Sequence, residues 1–96
     1  MSSGRLVVIG EIARAHGLDG ELRVTPLTDR PERFTRLAEC VLVDPTRDAR
    51  EPRRVTGARL HGAVVLLSLA GCASAAAAAA LAGRLVAVPE AEALVP

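Results

Sequence analysis

The chain has 96 residues, half of them hydrophobic, with 12 basic residues against 11 acidic and a formal net charge of +1. This length makes one small domain around a single core, burying roughly 60–65% of the surface that its unfolded form exposes. The near-neutral balance excludes a nucleic-acid or membrane binder acting by bulk charge alone, and the absence of Trp and Tyr excludes base stacking as a main binding mode.

Residues 1–4 read as a loose start. From Leu6 to Ala15 the chain is rich in Val and Ile, which predicts a first strand with Gly10 as a bulge point. Gly17-Leu18-Asp19-Gly20 is turn chemistry, because Asp-Gly accepts the positive backbone angles of a tight hairpin. Beyond it Glu21, Arg23 and Thr25 alternate with Leu22 and Val24, a half-buried second strand paired with the first. Thr28-Asp29-Arg30-Pro31-Glu32 reads as a helix entrance. Asp29 is the expected cap, Pro31 suits the first turn, Glu32 reaches back, and the short helix ends near Leu37.

Cys40 to Val43 is a third strand, cut by Asp44-Pro45. The polar segment Thr46 to Arg54 reads as an exposed, mobile loop leading into the next strand. Val55 to Leu60 and Ala63 to Leu69 then pair around His61-Gly62. The run Ala63 to Leu67 barely alternates, so that strand is expected to be covered on both faces. Ser74 is the expected N-cap of an Ala-rich helix reaching Ala82, gripped mainly by Leu81 and stopped by Gly83. Arg84 to Val88 is a last short strand, and residues 89–96 read as a tail or linker with Glu90 and Glu92 exposed. Six short strands with two brief helices indicate an all-β fold over residues 1–88. A closed barrel suits it best, since it hides its edges and needs no aromatic core.

None of the polar residues forms a catalytic arrangement. His16 has no nucleophile or carboxylate at a recognisable spacing and reads as a turn-stabilising histidine. Cys40, His61 and Cys72 are too scattered for a zinc site, so no metal or other cofactor is expected. The two cysteines read as reduced, partly buried thiols of a cytoplasmic protein. Gly17 and Gly20 have the spacing of a phosphate loop but no helix start behind them, and hairpin geometry accounts for both. Leu6 to Ile9 is too short for a signal peptide, and Ala75 to Ala82 is too short to cross a bilayer.

The elements Gly10-Glu11-Ile12, His16-Gly17-Leu18, Gly20-Glu21, Arg23-Val24, Pro26-Leu27-Thr28-Asp29 and Pro31-Glu32-Arg33-Phe34 carry a resemblance. Arg59-Leu60-His61-Gly62 with Leu66-Leu67 extends it, as do Leu69 to Cys72 and Leu81 to Leu85. Together they resemble the N-terminal domain of RimM, the bacterial ribosome maturation factor. The resemblance implies a six-stranded antiparallel Greek-key barrel like domain two of the elongation factors. His16, Gly17, Gly20, Glu21, Thr28, Asp29, Glu32 and Phe34 would serve as its scaffold. It further implies a non-enzymatic, cytoplasmic, monomeric assembly factor that binds the head of the immature small (30S) ribosomal subunit. Such a factor would assist maturation of the head and 16S rRNA processing. Small-subunit ribosomal protein nineteen would be met mainly by a second, PRC-barrel domain not contained in this sequence.

Arg23, Arg30, Arg33 and Arg36 are the candidate contacts to rRNA phosphates, three of them at a spacing of three residues. Arg47, Arg50, Arg53 and Arg54 are balanced locally by Asp44, Asp48 and Glu51. The alternative is a protein–protein adaptor barrel docking on its own second domain or on a ribosomal protein, without direct RNA contact. Steep salt dependence of binding distinguishes the first reading from the second.

Overall fold

A computed structural model describes residues 5–93. The expectations for residues 1–4 and 94–96, and for the Glu92 side chain, lie outside the described residues. Six strands form a closed antiparallel barrel: β1 (Leu6–His16), β2 (Glu21–Pro26), β3 (Glu39–Asp44), β4 (Ala49–His61), β5 (Val64–Leu69) and β6 (Leu85–Pro89). Their order round the barrel is β1-β2-β5-β4-β3-β6. Strands β3, β4 and β5 follow one another as a meander and β6 returns beside β3, which makes the Greek key. The fold class read from the sequence is therefore the observed one.

Two longer connections close opposite ends of the cylinder. Between β2 and β3 lies a 3-10 helix, Pro31–Arg36, whose only buried side chain is Phe34. Between β5 and β6 lies α1 (Ala75–Ala79), whose Ser74 hydroxyl accepts the Ala77 N–H at 3.1 Å. The sequence extends this helix to Ala82, but its α-helical hydrogen bonding stops earlier. The N–H groups of Leu81 and Ala82 reach back only three residues, and that of Gly83 turns to the Ile12 carbonyl of β1 at 2.7 Å. Ala78 and Leu81 both enter the core, so Leu81 shares its grip with Ala78.

The core runs from Phe34 at one end, through Ile12, Leu22, Val24, Leu42, Val65, Leu67 and Val86, to Cys72, Ala78 and Leu81 at the other. Gly10 and Gly20 are required by close approach. A Cβ on Gly10 would stand 2.7 Å from Val24 Cγ1 and 2.9 Å from Phe34 Cζ. At Gly20, with φ +98°, it would collide with the Cys72 carbonyl. The β1 registers shift on both sides, between Val8 and Gly10 against β6 and between Ile12 and Arg14 against β2. These bulges let one long strand bend round the barrel.

Several local expectations are corrected. Thr46 to Arg54 is not a loop: only residues 45–48 turn, and Ala49–Arg54 pairs in full with β3. This half of β4 hydrogen-bonds to β3 but not to β5, so its polar residues face solvent and show no apolar alternation. Arg53 is half-buried there, donating to Glu51 at 2.7 Å and to the Ala70 carbonyl at 3.0 Å. The Asp29–Glu32 capping box does not form. Pro31 holds the preceding Arg30 out of the helical region, at φ −129° and ψ 74°, and Arg30 becomes the cap with no side-chain cap bond. The Thr28 hydroxyl instead accepts the Arg30 N–H at 3.3 Å. Glu90, expected to be exposed, is half-buried and starts a four-residue helix, α2 (Glu90–Ala93). It lies 3.6 Å from Arg5, and its N–H donates to the Arg5 carbonyl. Cys40 and Cys72 are both buried rather than only partly so.

Candidate nucleic-acid interface

Successive residues of a strand point to opposite faces, and directly paired residues share a face. With Leu22, Val24, Val65 and Leu67 inside, the registers place Arg14 of β1, Arg23 of β2, Leu66 of β5 and Arg59 of β4 in one row on the outside. Leu66 is fully buried yet lies outside the main core cluster. On the same face Glu21 accepts two bonds from the Arg59 guanidinium, 3.2 Å from Nε and 3.1 Å from Nη2, spanning β5. His16 and His61 bring their ring centroids to 5.7 Å of each other. The result is an apolar floor under a polar cover drawn from three strands besides its own.

The electrostatics of this face are uneven. The Arg59 hydrogen bond holds the Glu21 carboxyl below the ordinary glutamate value of 4.5, and the two imidazoles reinforce it. Arg59 is thereby neutralised. Arg14 and Arg23 stand directly opposite each other and take no part in the ion pairs seen among the described residues. Like charges in such a pair repel, so the strands carry them at a cost to the barrel.

Of the four arginines expected to form a contact stripe, Arg23 lies on this face and its cross-strand neighbour is Arg14. Beyond the end of β2, Arg33 and Arg36 lie one turn apart on the 3-10 helix, whereas Arg30 is its extended N-cap, so the three-residue period aligns only the last two. Arg33 is half-buried, so only Arg30 and Arg36 are fully presented to solvent. Arg14 lies outside the expected stripe because the bulge between Ile12 and Arg14 sets which way it points, and Arg59 of the sequence motif joins the row only through the β4–β5 register; no local signal announces either.

Of the scaffold residues, Gly17 and Gly20 supply positive φ in the β1–β2 turn, Glu21 holds Arg59, and Phe34 plugs the core. His16, at the end of β1 before that turn, faces His61 across the barrel wall. No cluster of three or more metal-ligating side chains occurs among the described residues, and no helix there is long and apolar enough to cross a membrane.

Comparison with known proteins agrees with this architecture. The sequence profile of the RimM N-terminal domain matches residues 7–93. The chain belongs to the RimM family. It is 38% identical over 85 residues to the ribosome maturation factor RimM of Magnetococcus marinus, covering 88% of this chain and 48% of that one. With the RimM of Desulfitobacterium hafniense it shares 42% identity over 65 residues, 68% of this chain and 37% of the relative. The chain thus spans about half or less of the length of these two relatives. Among solved structures, the RimM protein of Pseudomonas aeruginosa superposes with a TM-score of 0.84 at 26% identity. That match covers 96% of this chain and 54% of that one. The solution structure of the isolated N-terminal domain of Thermus thermophilus RimM gives 0.72 at 28% identity, covering 96% of each chain.

Proposed function

We propose that this barrel is a non-enzymatic domain of a ribosome maturation factor, working in the cytoplasm as a monomer. It binds the head of the immature 30S subunit and assists its maturation and 16S rRNA processing. The relatives are named ribosome maturation factors, and the Pseudomonas protein is described as a 16S ribosomal RNA processing protein. The observation that carries the RNA contact is the opposed, unneutralised pair Arg14 and Arg23 beside the Leu66 floor. A phosphate set between two such guanidiniums relieves their repulsion and accepts hydrogen bonds from both. Arg36 on the 3-10 helix and Arg30 at its N-cap extend the contact. Small-subunit ribosomal protein nineteen is left to the part of RimM outside this domain.

Binding energy is the whole mechanism. A domain that fits one arrangement of the head's RNA and proteins better than its trapped alternatives shifts the population toward that arrangement. Co-sedimentation of the chain with immature small subunits tests this. The double variant R14E/R23E is expected to lose affinity by about tenfold or more with its circular dichroism unchanged, as removal of two phosphate contacts requires. Unchanged sedimentation would overturn the assignment of this face.

A further inference from the structure

A cleft of about 390 Å³ opens between the β3–β4 turn and the connection from α1 to β6. Asp44 and Arg47 line one wall, and Ala80, Ala82 and Arg84 the other. Neither arginine takes part in the ion pairs seen among the described residues. Asp44 is the only carboxylate in the lining, and its Oδ1 already accepts the Thr46 N–H at 2.9 Å and the Arg47 N–H at 3.3 Å. The Thr46 bond above all holds this carboxyl below the ordinary 3.8, and the charges of Arg84 and Arg47 act in the same direction. Two guanidiniums thus stand against one ionised carboxylate. The other wall supplies acceptors. The carbonyls of Ala80 and Ala82 accept no backbone N–H among the described residues, and both residues are exposed. Carbonyls left over at a helix end call for a donor from outside the helix.

We propose that this cleft binds one ribonucleotide, its phosphate held by Arg47 and Arg84 and its amino-bearing base donating to the Ala80 and Ala82 carbonyls. A bare anion would use the arginines alone and be repelled by the carbonyl oxygens. A nucleotide presents acceptors at one end and donors at the other, which matches both walls. Guanidinium forks pair with phosphate oxygens, and their flat faces stack on bases, the one stacking surface open to a chain without Trp or Tyr. The volume falls in the range of small-molecule sites and suits a single unstacked nucleotide rather than a duplex. A free nucleotide and one nucleotide of a single-stranded RNA carry the same chemistry here. The cleft shares no residue with the arginine row of β1, β2 and β4, so it goes beyond the ribosome-binding reading.

The test titrates the isotope-labelled 96-residue chain with guanosine monophosphate, with inosine monophosphate, which lacks the amino group, and with inorganic phosphate. Guanosine monophosphate is expected to shift the amides of Thr46, Arg47, Gly83 and Arg84. It should bind about tenfold more tightly than phosphate and, through one more hydrogen bond, about fivefold more tightly than inosine monophosphate. R47Q, in an exposed turn, should weaken it by about tenfold with circular dichroism unchanged. R14E/R23E should bind it like the native chain while losing immature subunits, so failure of one proposal is distinguishable from failure of the other. Tighter binding of a short guanine-bearing RNA supports the site with a strand as the source, and weaker binding supports it with a free nucleotide. Equal affinity for guanosine monophosphate, inosine monophosphate and phosphate would overturn it, as would shifts confined to Arg14 and Arg23, or none at all.

Discussion

Glu21 keeps its charge in acid because the Arg59 guanidinium donates to both of its carboxylate oxygens. Its folded pKa lies below the ordinary value of 4.5, so the carboxylate contributes stability that is present above that value. The contribution is lost as pH falls through the depressed folded value. Arg59 is exposed and the pair is screened by solvent, so the effect is small and is read best on the residue itself. Carbon-detected titration should give a Glu21 midpoint below 4.5 in the native chain, and R59Q should bring it back up toward that value. An unchanged midpoint in R59Q would show that another group sets it. At Cys40 burial outweighs the nearby Arg53 and pushes the thiol up to about 11, which keeps it neutral and unreactive at ordinary pH.

At the scale of elements, the 3-10 helix matters through one side chain. Phe34 is the chain's only aromatic residue, is wholly buried, and fills the space that Gly10 leaves open above Val24. Phe34→Ala should cost about 3–5 kcal/mol, a large share of what a domain of this size has. Thermal unfolding followed by circular dichroism checks it, and a loss under about 1 kcal/mol would mean that the helix is not the barrel's plug. The same helix shows where sequence patterns mislead. Asp29 and Glu32 match a capping box by spacing, but Pro31 decides the geometry by holding Arg30 extended. Ser74 had no such competitor, and its cap forms as expected.

Across the whole molecule, the strands with apolar alternation, the two glycine-bearing hairpin turns and the closed barrel could be read before any coordinates. Each rests on local chemistry, such as Leu22 and Val24 against Glu21 and Arg23. Ala49–Arg54 could not, because its strand is held by backbone pairing to β3 rather than by an apolar face. The two outer faces were equally hidden. Arg14 beside Arg23, and Val8 beside Ala87 and Val41, become neighbours only through register, after two bulges have turned β1. The result is a barrel with a row of arginines on the β1-β2-β5-β4 wall and a row of apolar residues on the β1-β6-β3-β4 wall.

The most direct test of the arginine row as an RNA contact is the salt dependence of the chain's association with immature small subunits. The account predicts an affinity that falls steeply with ionic strength, with a log–log slope shallower by about one in R14A and again by about one in R23A. A flat salt response, or a slope identical in the native chain and both variants, would contradict it.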